Sequence, residues 1–256
     1  MADEFELDRK LNKAYWRAAG LSDWVKRFWT IKNAASAEPS LDIDGEIGFS
    51  PWDDSITAKD FISDLKGIAG AEWINLSINS PGGSVFDGFK IFNALIAHES
   101  KIRVRVDPVA ASIASVIAMA GDEINMPENA LMMIHDPMAG VMGTADDMRS
   151  MAGALDRVTD GIMSAYGRRV TLDKDAVRDM MHKETWISGS EAVEWGFADH
   201  VESAVDMAAC WGFDWSHVHA PKAVLRPKEV NRSRYKQQFT DLQVSRLTLR
   251  HQLRHQ

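Results

Sequence analysis

A serine at position 112 is a candidate nucleophile because of the residues around it. It lies in the stretch Pro108-Val-Ala-Ala-Ser112-Ile-Ala-Ser115, between a predicted strand and a predicted helix. At such a junction a side chain can be exposed while the first helical amides lack partners, and those amides can stabilise a developing oxyanion. The alternative is that the serine only caps the helix, which is the usual role of serine at this position.

A glycine-rich turn could supply a second part of an anion-binding site. Asn79-Ser-Pro-Gly-Gly83 follows a predicted strand over residues 73–78. Two successive glycines permit positive φ and leave the backbone bare, so that it can present an amide to an anionic oxygen. The turn does not match the phosphate loop of nucleotidases, because no Gly-Lys-Ser/Thr follows. An ordinary strand-to-helix turn is the remaining alternative.

His135 is a candidate general base. It ends the predicted strand over residues 131–134 and precedes Asp136-Pro137. An imidazole that leaves a buried strand can reach a neighbouring loop and exchange a proton near neutral pH. The alternative is a structural histidine. The sequence has no HExxH motif, no paired cysteines and no second histidine at ligand spacing near His135, so we expect neither a metal nor a cofactor.

The elements that must position these residues alternate along the chain. Hydrophobic patterning predicts strands over residues 41–47, 73–78, 102–106, 124–126 and 131–134, with Asp107-Pro108 ending the third. It predicts helices over residues 57–68, 86–98, 110–120, 144–168, 173–182 and 188–196. Alternating strands and helices over residues 40–202 predict an α/β fold with crossover connections.

Two extensions flank this body, which we place at residues 39–204. Residues 1–38 form an N-terminal extension in which Trp16, Trp24, Phe28 and Trp29 have roughly helical spacing. We expect an amphipathic helix there, packed on the body or a neighbouring subunit; the alternative is a segment that docks a partner. Residues 205–256 form a basic C-terminal extension, expected to be partly disordered or to order against a partner as an amphipathic helix.

Composition narrows the class of protein. The 256 residues carry a net charge of −8, which argues against a nucleic-acid-binding body. Cys210 is the only cysteine, so an intramolecular disulfide is impossible and a reducing compartment fits. The N-terminus lacks a secretory apolar core, and no apolar run approaches the ~20 residues of a membrane span. We therefore expect a cytoplasmic protein without membrane partners.

Four motifs in fixed order resemble the Clp protease proteolytic subunits, which are crotonase-like serine peptidases. The resemblance extends over residues 41–201 and rests on Ile78-Asn-Ser-Pro-Gly-Gly83, Ala110-Ala-Ser112, Met132-Met-Ile-His135-Asp-Pro137 and Ser188-Gly-Ser-Glu-Ala-Val-Glu-Trp-Gly196. It implies a ββα-spiral fold with a protruding handle helix after Thr144.

The resemblance also assigns roles. Ser112 would attack a peptide carbonyl, and His135 would take the serine proton and return it to the leaving amine. The amides of Gly83 and Ile113 would form the oxyanion hole, and residues 82–85 would pair with an extended substrate. The partners implied are a protein or peptide substrate and further copies of the chain in a ring, a heptamer or double heptamer, with any ATPase a separate protein.

The third catalytic residue is not assigned at this stage. Counting back from Ser188 without a gap, we place Met180 at the position of the family aspartate. Asp179 is adjacent, but one step along a helix rotates a side chain by ~100°. Glu184 is the other nearby acid; either acid could orient His135 after a local backbone shift, or a water or a carbonyl could do so. A missing acid would lower activity steeply.

A finer resemblance concerns the biological setting. The segment 41–48, Trp52 and Glu184-Thr-Trp186 resemble Clp-related head-maturation proteases of tailed phages and prophages. This implies cleavage of scaffold or capsid proteins in an assembling procapsid, inside the host cytoplasm. The alternatives are a general cytoplasmic peptidase that works with a separate ATP-driven unfoldase, and an inactive Clp-like structural subunit.

Overall fold

A computed structural model describes residues 28–48, 58–68 and 70–204 of the chain. Its strands are β1 Trp29–Lys32, β2 Ser40–Asp44, β3 Trp73–Ser80, β4 Lys101–Ala111, β5 Glu123–Pro127, β6 Leu131–Ile134, β7 Thr185–Ser188 and β8 His200–Glu202. Its helices are α1 Ala58–Lys66, α2 Val85–Ile96, α3 Ile113–Ala118, α4 Ala145–Tyr166, α5 Lys174–His182 and α6 Gly189–Trp195. The alternation confirms the predicted α/β class.

The strands form one mixed sheet. Its main path is β1-β2-β3-β4-β5-β8, and β6 pairs with both β4 and β7 outside that path. The pairs β1–β2 and β6–β7 are antiparallel, and the remaining pairs are parallel. In β2, β3 and the first part of β4, buried apolar residues alternate with half-buried or exposed ones, most of them polar, so one face of these strands packs on the core.

The strand β4 is longer than predicted. Pro108 was expected to end it, yet the strand continues to Ala111, and the helix predicted from residue 110 begins only at Ile113. The structure shows why proline is tolerated here. Pro108, which lacks an N–H donor, lies between the segment that pairs with β5 and the segment that pairs with β6, where the register with β3 also shifts. Its peptide bond with Asp107 is cis.

The helix predicted for the N-terminal segment is wrong for its last residues. Trp29–Lys32 is a strand, antiparallel to β2. Its start is held by packing: Phe28 and Trp29 are buried, and both rings contact Phe61 of α1, with centroid distances of 6.5 and 5.6 Å. Residues 1–27 and the C-terminal extension 205–256 lie outside the described residues.

Helix α4 is buried only in its C-terminal part. Thr144 and Asp147 form a capping box at its start, as predicted, and hydrogen bonds from Thr144 hold the pKa of the Asp147 carboxyl below its ordinary value. From Ala145 to Val158 no side chain is fully buried, whereas Thr159, Ile162, Met163, Ala165 and Tyr166 enter the core. Within the described part of the chain, no helix is both long and apolar enough to cross a membrane.

Candidate active site

Ser112 connects β4 to α3 in an unusual backbone conformation. Its φ of 55° and ψ of −127° lie in a region that non-glycine residues rarely adopt. The Ser112 amide donates to the Met133 carbonyl at 2.8 Å, and the Ser112 carbonyl accepts from the Ser115 amide at 3.0 Å. The side chain makes no capping hydrogen bond to α3, so the simple N-cap alternative does not describe this serine.

The imidazole of His135 lies beside the Ser112 hydroxyl. Parallel pairing of β4 with β6 sets Ala111 opposite Met133, so both strands end at the same edge of the sheet. There His135 Nε2 lies 2.8 Å from Ser112 Oγ. The structure thus brings together the two side chains that the sequence named as nucleophile and base. This distance is that of a hydrogen bond through which a proton can pass.

The glycine turn contacts Ser112 directly. Gly82 and Gly83 have φ of 102° and 143°. A Cβ atom on Gly82 would lie 2.6 Å from Ser112 Cβ, and one on Gly83 would lie 2.1 Å from the Ile47 carbonyl oxygen. Glycine is required at both positions, because any side chain would push the turn away from Ser112 or from Ile47.

The two predicted oxyanion donors have no protein acceptor within the part of the chain that the structure describes. Ile47 donates to the Gly82 carbonyl and accepts from the Ser84 amide, both at 2.7 Å, so the N–H and C=O of Gly83 face the opposite side. Ile113 is the first residue of α3, where amides lack intrahelical partners. Among the described residues, neither the Gly83 nor the Ile113 amide donates a hydrogen bond.

Of the two candidate acids for the third position, Asp179 is engaged elsewhere, and Met180, at the position of the family aspartate, has no carboxyl group. Met180 is half-buried and packs against the core, and its carbonyl accepts a hydrogen bond from Thr185 Oγ1 at 2.7 Å. Asp179 is exposed, and its carboxylate pairs with Lys183 Nζ at 3.5 Å on the same helix.

Glu184 is the other candidate acid, and it lies directly before β7. In the antiparallel pair β6–β7, Met133 lies opposite Trp186 and Ile134 opposite Thr185. Glu184 directly precedes β7 and His135 directly follows β6, and extending the register by one residue would set them opposite each other, where side chains project to the same face. Glu184 is half-buried, with φ of 51°, and its Oε1 accepts from Trp186 Nε1 at 3.4 Å.

One contact at the site edge was not predicted from the sequence. Asp136, the residue after the candidate base, has its Oδ2 3.0 Å from Nδ1 of His182 at the end of α5. Both side chains are largely exposed. The residues are far apart in sequence, and no motif spacing indicated this pair.

No set of metal ligands accompanies the pair. Within residues 28–48, 58–68 and 70–204, no three His, Cys, Asp or Glu side chains are grouped so that they could hold a metal ion. The chemistry supported by the described side chains is nucleophilic attack by a hydroxyl with an adjacent imidazole.

The chain is similar in sequence to known proteins. ATP-dependent Clp protease proteolytic subunit 1 of Prochlorococcus marinus (strain MIT 9312) is 31% identical over 130 residues, which are 50% of this chain and 67% of that protein. The proteolytic subunit of Bacteroides thetaiotaomicron is 31% identical over 131 residues, 50% of this chain and 59% of the relative. Subunit 2 of Nocardia farcinica is 32% identical over 138 residues, 53% of this chain and 68% of the relative.

The alignments therefore span about two thirds or less of these relatives. The Clp protease family model itself matches residues 51–204, which is more than half of the chain and includes Ser112, His135 and the glycine turn. The chain belongs to the Clp protease family.

Proposed function

We propose that the protein is a Clp-type serine endopeptidase with Ser112 as nucleophile and His135 as general base. The observation that carries the proposal is the 2.8 Å contact between Ser112 Oγ and His135 Nε2 at a strained strand-to-helix junction. The family membership supports it, since the relatives are named proteolytic subunits.

The proposed reaction has two halves. Ser112 Oγ attacks the carbonyl carbon of the scissile peptide bond while His135 Nε2 takes the hydroxyl proton. The amides of Gly83 and Ile113 donate to the resulting oxyanion, and the imidazolium then protonates the leaving amine as the C–N bond breaks. A water, deprotonated by His135, attacks the acyl-enzyme, and collapse of the second tetrahedral intermediate releases the acid and restores Ser112.

An extended substrate can bind along the glycine turn. Ile47 is hydrogen-bonded to the Gly82 carbonyl and the Ser84 amide. The N–H and C=O of the exposed Gly83 are therefore available to pair with another strand. A peptide paired there would place a backbone carbonyl near the Gly83 amide. Substrate binding and oxyanion stabilisation would thus share one segment.

The first prediction concerns the pair itself. Treatment of the full chain with a fluorophosphonate gives an adduct on Ser112, found by mass spectrometry of peptides. Ser112→Ala eliminates the adduct, and His135→Ala slows its formation at least about 10³-fold, because an unassisted hydroxyl is a weak nucleophile. Ser150→Ala, a change at an exposed serine of α4, leaves labelling unchanged. A wild-type chain that is folded but never labelled would refute the peptidase.

We further propose that Glu184 orients His135. The support is that extending the β6–β7 register by one residue would set Glu184 opposite His135, whereas the carboxylate of Asp179 pairs with Lys183. A carboxylate beside the imidazole would hold its tautomer and stabilise the imidazolium formed during acylation.

The second prediction distinguishes the contribution of Glu184 to catalysis from that of Asp179. Glu184→Gln keeps the size of the side chain but removes its charge, and kcat falls about 10²- to 10⁴-fold with little change in KM. Asp179→Asn changes kcat by no more than about twofold, as for a surface substitution away from the reacting groups. Steady-state hydrolysis of a fluorogenic peptide measures both. The opposite ranking of the two variants would move the role to Asp179.

The third prediction tests the contact between the glycine turn and Ser112. Gly82→Ala and Gly45→Ala both place a side chain at positive φ, 102° and 114°, so both lose about 1 kcal/mol or more of stability. Only the Gly82 Cβ would strike Ser112, whereas the Gly45 Cβ would meet nothing within 4 Å. Peptidase activity is therefore lost in Gly82→Ala and retained in folded Gly45→Ala. Equal activities would show that the turn does not position the nucleophile.

Assembly into a ring is part of the proposal. The exposed N-terminal half of α4 follows a loop with exposed Met138, Val141 and Met142, and a lone subunit leaves these apolar side chains in water. Contact between subunits would cover them, with α4 as the family's handle. The particle mass in native mass spectrometry tests this, a heptamer or double heptamer being expected and a monomer contradicting it.

The proposed substrates are scaffold or capsid proteins of a tailed phage or prophage. Two features of the sequence support this setting. Glu184-Thr-Trp186 resembles the phage enzymes, and the Trp-rich residues 1–38 and the basic residues 205–256 are suited to hold a capsid or scaffold protein. The competing setting is a general peptidase fed by an unfoldase, which the names of the ATP-dependent relatives favour.

The fourth prediction distinguishes these settings. Co-expression with the neighbouring capsid and scaffold genes gives shortened capsid or scaffold protein with wild type and full-length protein with Ser112→Ala. Identical products from both would exclude the maturation role. Stimulation of protein degradation by a host ATP-driven unfoldase would then support the general peptidase.

A further inference from the structure

The carbonyl of Ser112 is held by more than the backbone. In addition to the Ser115 amide, it accepts a hydrogen bond from the Ser115 hydroxyl, with an O···O distance of 2.5 Å. Ser115 is fully buried on α3, one turn after the nucleophile. Its side chain is therefore fixed against the peptide unit that joins Ser112 to Ile113.

Tyr166 completes a chain of hydroxyl groups. Its phenolic oxygen lies 2.8 Å from Ser115 Oγ. A serine hydroxyl has one proton, and that of Ser115 is donated to the Ser112 carbonyl, so Tyr166 is the donor to Ser115. Burial raises the pKa of the Tyr166 phenol well above its ordinary value, which keeps the phenol protonated.

The phenol is held in place by α4. Tyr166 is the last residue of that helix, it is almost completely buried, and its ring packs edge to face on Phe197 at 5.6 Å. The donor therefore comes from an element that contributes neither Ser112 nor His135. The Tyr166 hydroxyl is linked to the Ser112 carbonyl through the hydroxyl of Ser115.

The chain of hydrogen bonds from Tyr166 ends on the peptide unit that joins Ser112 to Ile113. The carbonyl of Ser112 and the N–H of Ile113 belong to the same planar group, so fixing the one fixes the other. Hydrogen bonds in a chain also polarise one another, and donation to the carbonyl makes the amide of the same group a stronger donor. The Ile113 amide is the proposed oxyanion donor that this unit carries.

We propose that Tyr166 and Ser115 are positioning residues that act through the Ser112–Ile113 peptide unit: they fix and polarise the Ile113 amide and hold the backbone that directs Ser112 Oγ at His135. This inference rests on the proposed peptidase function. It assigns to α4 a role in the reaction in addition to any role in assembly.

The fifth prediction compares each hydroxyl with a matched buried hydroxyl elsewhere. Ser115→Ala is paired with Ser100→Ala, whose hydroxyl donates to the Ala71 carbonyl at 2.6 Å. Tyr166→Phe is paired with Thr159→Val, whose hydroxyl donates to the Leu155 carbonyl at 3.0 Å within α4. Tyr166→Phe, Ser100→Ala and Thr159→Val each remove one buried hydrogen bond, whereas Ser115→Ala removes two, to the Ser112 carbonyl and from Tyr166; thermal unfolding measures the stability that each variant loses.

Within each pair, we expect the variant of the proposed positioning residue to lose activity and its control variant to keep it. In Ser115→Ala, kcat and the rate of fluorophosphonate labelling fall about 10- to 100-fold, because small misplacement of reacting groups is costly. KM remains within about twofold in every variant. Tyr166→Phe, which leaves Ser115 donating but less polarised, shows a smaller fall of about threefold to tenfold, and both control variants match wild type.

A double variant tests the order of the chain. If Tyr166 acts only through Ser115, Ser115→Ala with Tyr166→Phe is no slower than Ser115→Ala alone, since residues in one network are not additive. Falls that multiply would refute the relay from Tyr166. Should Ser115→Ala fail to fold, Tyr166→Phe still tests the proposal against Thr159→Val.

The outcomes distinguish this inference from the proposed function. A wild-type chain that does not label at Ser112 overturns both. A wild-type chain that labels, with Ser115→Ala and Tyr166→Phe as fast as their controls, overturns the positioning role alone.

Discussion

The candidate site depends on the parallel pairing of β4 with β6. Only three residue pairs join these strands, from Val109–Leu131 to Ala111–Met133, and Ser112 is the first residue after the last pair and His135 the second. The Met133 carbonyl also accepts the Ser112 amide, so the strand that carries the base holds the backbone of the nucleophile. A shift of one residue in this register would turn the neighbouring side chains to the other face of the sheet and separate hydroxyl from imidazole.

Ser112 and His135 could be recognised from the sequence because the chemistry lies in local context. A serine after a strand, a glycine turn and a histidine at a strand end are each visible in a few residues, and their order narrows the choice. The sequence did not decide the role of Glu184, because the spacing of residues along a chain does not reveal which residues an antiparallel strand pair sets opposite each other. Ser115 and Tyr166 were missed for the same reason, since 51 residues separate them and neither belongs to a motif.

The errors in the fold have a common physical cause, which is that tertiary contacts decide between local alternatives. The spacing of Phe28 and Trp29 suits a helix, but burial against Phe61 and pairing with β2 favour a strand. Pro108 normally ends a strand, but here its missing donor coincides with the change of neighbours along β4. Each local sequence pattern permits more than one conformation, and the pairing of strands in the sheet determines which conformation forms.

The strained backbone of Ser112 explains why so many contacts converge on it. A non-glycine residue in this region costs about 1–3 kcal/mol, and it persists only where the surroundings fix it. Relaxation to an ordinary N-cap geometry would turn the hydroxyl towards the amides of α3, where serine side chains usually bond. In the observed geometry the hydroxyl faces His135, and within the described residues the Ile113 amide has no protein acceptor. The Ser112 amide donates to the Met133 carbonyl and the Ser112 carbonyl accepts from Ser115, and these bonds hold the strained backbone that directs the hydroxyl at His135 rather than at the amides of α3.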